Sequence, residues 1–167
     1  MAGLATAAAD EKTVVFAATP VGVYISTDGA RTWSLPGNGT VVPLADAVAP
    51  SPGFATNRTV FVCANDGMYR STDGGDVWRQ VLVGSRTLCA ASPCRDAYAN
   101  MTVLAGTETD GVLRSEDGGH SWSGANAGLL DLMVLAVAVS PHFEQDQIAF
   151  CGTPSGLYRT RNSARSK

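Results

Sequence analysis

Side chains that usually carry chemistry are scarce in this 167-residue chain. The two histidines, His120 and His142, lie far apart, and the four cysteines show no ligand spacing: Cys63 and Cys151 sit in apolar strand-like runs, while Cys89 and Cys94 bracket AASP with no second pair nearby. A zinc site needs closer ligands and partner histidines. No metal and no cofactor are therefore expected, and the thiols read as buried and free, with a Cys89–Cys94 disulfide open if the parent protein is secreted. Charge is sparse at 16% of residues and the net value is −3, which leaves no basic footprint for nucleic acid. No stretch approaches the roughly 18 apolar residues of a membrane span, so no membrane partner is expected. The opening MAGLATAAADEK lacks both a basic start and a long apolar run, and no signal peptide is read in it. One further upstream in a longer reading frame would make the parent secreted, and localisation stays open. Aromatics make only 7%, yet a 45% hydrophobic content suits one soluble, core-forming domain.

What the chain has is glycine, 18 of them, and a repeated octet. STDGARTW starts at Ser26, STDGGDVW at Ser71 and SEDGGHSW at Ser115, so the serines stand 45 and 44 residues apart. A decayed copy, TRNSARSK, starts at Thr160, with Asn162 in the aspartate's place and Lys167 in the tryptophan's. Serine, then aspartate two residues on, then glycine is turn chemistry: hydroxyl and carboxylate accept from nearby N–H groups, and glycine supplies positive φ. GVYI, GMYR and GVLR before the octets alternate at period two, and a tryptophan opens the strand after each. Each copy is strand, turn, strand. The pattern resembles the Asp-box, or BNR repeat, Ser-x-Asp-x-Gly-x-Thr-Trp, of sialidases, xyloglucan-cleaving hydrolases, sortilin-type receptors and photosystem II assembly factors. Ala30 stands for the glycine in the first copy, and Val77 and Ser121 for the threonine in the second and third.

The repeat is larger than the octet. Residues 51–71 lie over residues 140–160 without a gap, at an offset of 89, or two periods. Each repeat reads as four strands. The first is small and apolar (LATAAA, LADAVAP, RTLCAAS, VLAVAVS), the second β-branched (TVVFAA, TVFVCA, TVLAG, IAFCG), the third carries Gly-x-Tyr or Gly-x-Leu, and the outer one begins at the octet tryptophan. Four antiparallel strands per 40 to 50 residues are a β-propeller blade. The expected fold is all-β, with blades at 2–43, 44–85, 86–132 and an incomplete 133–167. An open arc is expected, either part of a longer parent chain or pairing with a second copy through its exposed blade faces, with a closed four-bladed ring as the alternative.

Repetition argues against catalysis, because an active site needs one constellation. Ser26, Asp28, Trp33, Ser71, Asp73, Gly75, Trp78, Ser115, Asp117, Gly119 and Trp122 are therefore read as structural, and DGGD at 73–76 lacks the alternating ligands of a calcium loop. The resemblance implies that the octets lie on the rim between third and outer strands, away from the face that holds active sites. Arg70, Arg114 and Arg159 precede the octets at equivalent positions and read as pairing within the fold, pointing outward together. The matches to the glycosylation pattern at Asn57 and Asn100 read as turn residues, because Asp146 is their repeat equivalent. A glycosidase needs two carboxyl groups facing one bond, and the non-repeated acids are Asp66, Glu108 and Asp110, between second and third strands. They are the possible ligand-face residues, together with the connections from Leu35 and Ser123. No catalytic set is read. The expected function is a non-catalytic module presenting a loop face to a protein or glycan; the alternative is a fragment of a glycoside hydrolase whose acids lie elsewhere.

Overall fold

The computed structural model describes residues 3–9, 12–36, 42–92 and 101–160. Four antiparallel sheets follow one another, each with its strands paired in chain order. The first holds β1 (Gly3–Ala9), β2 (Lys12–Thr19) and β3 (Gly22–Ser26). The second holds β4 (Ala45–Pro50), β5 (Val60–Ala64), β6 (Gly67–Ser71) and β7 (Arg79–Val83). The third holds β8 (Thr87–Ala91), β9 (Val103–Thr107), β10 (Val112–Ser115) and β11 (Ser123–Gly124). The fourth holds β12 (Ala136–Val139), β13 (Ala149–Thr153) and β14 (Gly156–Thr160).

The offset of 89 recurs in three dimensions. A one-turn helix, α1 (Phe54–Asn57), joins β4 to β5, and α2 (Phe143–Asp146) joins β12 to β13. Each ends on a left-handed residue, Arg58 or Gln147. The turn is held by one side chain: Asn57 Oδ1 accepts from Thr59 N at 2.9 Å, as Asp146 Oδ1 does from Ile148 N. Ser51 and Ser140 bond the same two side chains. The turn role expected of Asn57 and Asp146 is thus theirs; Asn100 lies outside the described residues, as does Cys94. Cys63, Cys89 and Cys151 are free thiols, and burial raises the pKa of each.

Alternation along the strands divides the core into joints between successive sheets. Val60, Val62 and Ala64 face the first sheet's Val14, Phe16 and Ala18, whereas Phe61 and Cys63 of the same strand face Val103 and Ala105 of the third. Leu104 turns the other way, towards Ala149 and Cys151. Because both faces of β5 and β9 are covered, every residue in them is buried, which gives continuous apolar runs instead of an alternating pattern. The innermost strands pack in the order β1, β4, β8, β12, and β12 makes no comparable packing with β1. Among the described residues the arc is open.

The outer strands depart from expectation. They begin one residue after the tryptophan, at Arg79 and Ser123, and in the first repeat the strand is reduced to one bridge, Ile25 with Ser34. Pro36 follows almost at once and has no N–H to continue a ladder. Of the fourth repeat's octet, only Thr160 lies among the residues described.

Candidate functional site

The octets sit between third and outer strands at the end of the sheets that also carries α1: Gly74 N donates to Arg58 O at 2.9 Å. Their polar groups are spent locally. Ser71 Oγ donates to Asp73 Oδ1 at 2.6 Å and accepts from Gly75 N at 2.8 Å; the same Oδ1 accepts from Asp76 N and Val77 N at 3.0 and 3.1 Å. Ser115 and Asp117 repeat this with Gly119 N and Ser121 N, and Ser26 and Asp28 with Ala30 N, Arg31 N and Thr32 N. In these two copies the hydroxyl of Thr32 or Ser121 adds a bond to the second carboxylate oxygen, both at 2.6 Å. Val77 has none to offer.

Donors aimed at a carboxylate favour its ionised form. The Thr32 hydroxyl first, then the Thr32 amide and Ser26, hold Asp28 down at about 2. Ser121 does the same for Asp117, which lies well below the usual range. At Asp73 burial works the other way, but the bonds from Ser71, Val77, Asp76 and Gly75 outweigh it and the pKa is still lowered. A carboxyl that is more acidic folded than unfolded contributes stability in full above its unfolded pKa and loses it as pH falls to the folded one. The melting temperature is therefore expected to fall between about pH 4 and about pH 2, and less steeply in Asp28→Asn. An unchanged slope in that variant would count against the octets as its source.

The first octet also carries a backbone misfit. Ala30 has φ 66°, where Gly75 and Gly119 have 107° and 97°. Left-handed backbone costs a residue with a Cβ about 1 kcal/mol relative to glycine. Ala30→Gly is expected to stabilise by about that amount in urea unfolding.

The octets also latch neighbouring sheets. Trp122 Nε1 donates to Val81 O of the second sheet at 2.8 Å, and Arg70 Nη1 reaches forward to Gly118 O at 2.6 Å. Arg114 does not point outward as expected: it is 6% exposed and pairs with Glu116, its Nε without a partner among the described residues. Arg159 alone of the three is exposed.

The opposite end carries the β5–β6 and β9–β10 turns and the connections between sheets. Arg86 Nε and Nη2 grip Asp46 at 2.9 and 3.1 Å, and its Nη1 lies 3.6 Å from Glu108 Oε1. Asp66 is not in this group. Its Oδ2 accepts from the Tyr69 hydroxyl at 2.8 Å while Oδ1 is buried without a partner among the described residues. Burial first, then that bond, push Tyr69 up to about 12. Asp110 N donates to Thr107 Oγ1 and Asp110 O accepts from Asn126, leaving its exposed carboxylate on the turn. Of the three expected acids, only Glu108 joins a charged network, and two of that network's members, Asp46 and Arg86, were not read from the sequence. Both sit at the start of innermost strands, where small apolar residues drew the reading to the strand instead.

Beside these turns runs the connection from the third sheet to the fourth. It is bound to the β9–β10 turn by Gly111 N to Leu132 O and Val134 N to Thr107 O, at 3.0 and 2.9 Å. Leu130 is 89% exposed, and Leu132, Met133 and Leu135 are exposed with it. Four large apolar side chains thus stand in water on a connection whose backbone is tied to the turn that carries Glu108 and Asp110. The sequence signal is LLDLMVL, an apolar run placed before its strand.

No protein-family model matches the chain, and no curated protein matches it. Solved structures do. An ancestral GH74 enzyme superposes with a TM-score of 0.73 at 23% identity, over 97% of this chain and 22% of that one. The GH74 xyloglucanase of Xanthomonas campestris gives 0.67 at 18%, over 90% and 25%. YCF48 bound to a D1 peptide gives 0.64 at 16%, over 90% and 48%. The four sheets are β-propeller blades. The chain spans between about a fifth and a half of the lengths of these structures, and likeness at such identities concerns the fold. In propeller terms the octets lie at one end of the first three blades and the Asp66, Glu108 and Leu130 turns at the other.

Proposed function

We propose that this chain is a non-catalytic binding module of the Asp-box propeller kind, and that its loop face takes a protein surface carrying apolar and basic side chains. The observation that carries this reading is the exposed run Leu130, Leu132, Met133 and Leu135 on a connection whose backbone is bonded to the turn that carries the exposed carboxylate of Asp110. Exposed apolar groups rimmed by charge are the composition of a protein-docking patch. Glu108 leans on Arg86, which also holds Asp46, so this acid is committed to positioning the turn. Sugar rings stack on aromatic faces, whereas the exposed groups here are aliphatic, which favours a protein over a glycan. YCF48, whose structure includes a bound peptide, supports the reading by analogy of fold.

The hydrolase alternative keeps one supporting observation, the likeness to GH74 enzymes. The test treats both. Arrayed peptides alternating aliphatic residues with arginine or lysine are expected to bind the chain, acidic counterparts are not, and Leu130→Asp is expected to abolish binding. Binding indifferent to Leu130→Asp would overturn the proposal. Turnover of xyloglucan oligosaccharides that is lost in Asp66→Asn or Asp110→Asn would replace it with the hydrolase reading.

A further inference from the structure

Between the second and third blades, at the end that carries the octets, lies a cleft of about 470 Å³ lined by Arg70, Arg79 and His120. Arg70 of β6 and Arg79 of β7 stand directly opposite in the ladder, so their side chains leave the same face of the sheet. Arg70 is half-buried and reaches Gly118 O of the third octet, Arg79 is exposed, and His120 belongs to that same octet. Like charges directly opposite on neighbouring strands destabilise a sheet. Among the described residues neither arginine forms an ion pair, and the Arg79 guanidinium has no hydrogen-bond partner. Burial first, then the charge of Arg79, lower the pKa of Arg70 against an opposing pull from Asp117. Asp117 commits both carboxylate oxygens to its own octet, and Asp73, which lines the cleft, commits Oδ1 in the same way. The cluster is not repeated. Ile25 and Ser34 hold the two arginine positions in the first repeat, and Asp76 holds the histidine's in the octet that follows, so the joint between first and second blades has no cation at these places. In the third repeat Ser123 replaces Arg79, and Arg114 is paired with Glu116. The packing that all blades share therefore does not account for three cationic side chains around one cleft.

We infer that this cleft is an anion site and takes a tetrahedral oxyanion, a phosphate or sulfate group, free or carried as a monoester. Two guanidinium groups and an imidazole line it from three backbone positions on two blades, and the Thr72 hydroxyl joins them. A carboxylate has two oxygens and is satisfied by a single guanidinium fork, whereas a phosphate or sulfate group presents at least three and engages donors from several directions. Val77 and Val81 line the cleft beside the charges. Val77 stands where the other octets carry a hydroxyl, and an apolar wall strengthens the attraction between a bound anion and its donors. The chain's net charge of −3 does not draw anions in general, so the attraction is local to this cluster. A bound anion relieves the repulsion between Arg70 and Arg79. The site lies at the octet end and does not depend on what the loop face binds.

Amide chemical shifts of the 167-residue chain, followed at fixed low ionic strength, read both the affinity and the place of binding. The probes are inorganic phosphate, inorganic sulfate and glycerol 3-phosphate, with acetate as the planar, singly charged control. Saturable shifts centred on Arg70, Arg79 and His120 are expected with phosphate and sulfate, and acetate should bind at least about tenfold more weakly, having fewer oxygens to engage. Glycerol 3-phosphate binding as tightly as phosphate assigns the site to an ester, and its exclusion assigns it to the free ion. Arg79→Ser, the residue type that Ser34 and Ser123 hold at equivalent positions, should weaken phosphate by at least about tenfold, the loss of one charge-assisted hydrogen bond, and should keep the melting temperature. Arg31→Gln, at an exposed arginine on the first octet, should change nothing. Equal weakening by both substitutions would mean diffuse attraction and would overturn the inference. So would acetate as tight as phosphate, or the absence of saturable shifts at the cleft with every anion. His120→Asn, also at an exposed side chain, serves if Arg79→Ser has lost its sheets; phosphate binding unaffected by it would overturn the inference as well.

Discussion

Trp78→Ala is expected to destabilise the chain by about 3–5 kcal/mol, the range for removing a large buried aromatic. Trp78 is 4% exposed and packs in the joint between first and second blades with Phe16, Val60 and Ile25. Its loss would empty that joint at the octet, where Gly75 leaves room for Ile25 by having no side chain: a Cβ there would stand 2.4 Å from Ile25 Cδ1. Trp33→Ala, at the equivalent but half-open position, is expected to cost under about 1 kcal/mol in dilute solution. Urea unfolding of the two variants measures the contrast. Equal midpoints would mean that the octet tryptophans do not act by packing on the preceding blade.

Gly67→Ala is expected to be as damaging through the backbone. Gly67 opens β6 with φ 138°, and a Cβ there would lie 1.9 Å from Leu82 O and 2.8 Å from Leu82 C. Neither atom can move without opening the β6–β7 ladder, which already shifts register between Met68 and Tyr69. The strained φ and the clash together should cost about 3 kcal/mol or more. Gly67 O also accepts from the buried hydroxyl of Thr87, which ties the second blade to the third. Expression as a sheet-rich protein with an unchanged melting temperature would refute this account.

The repeat was legible because its constraints are local. Serine, aspartate and glycine at fixed spacing satisfy their own backbone, and the resulting turns appear at 26, 71 and 115 with the same bonds. The gapless offset of 89 was legible for the same reason, down to Asn57 and Asp146 holding one kind of turn. What the sequence hid depends on neighbours in space. Phe150 reads like Phe61, and nothing along the chain says that one is covered and the other bare. Asp46 and Arg86 are 40 residues apart and meet only because consecutive innermost strands start at one end. The exposed leucines from 130 to 135 look like the beginning of a strand until the strand is seen to start at Ala136. Arg114, equivalent to Arg70 by position, finds Glu116 next to it and turns aside.

The division of the core into three clusters, with no residue belonging to two of them, makes the arc a one-dimensional array with nearest-neighbour coupling. An end blade is held by one coupling and an inner blade by two, so denaturant should fray the array from its ends before the second and third blades part. The steepness of the transition then reports how many couplings break together and falls short of the slope set by the surface of the whole chain. Closing the array into a ring would remove the ends, and with them the fraying.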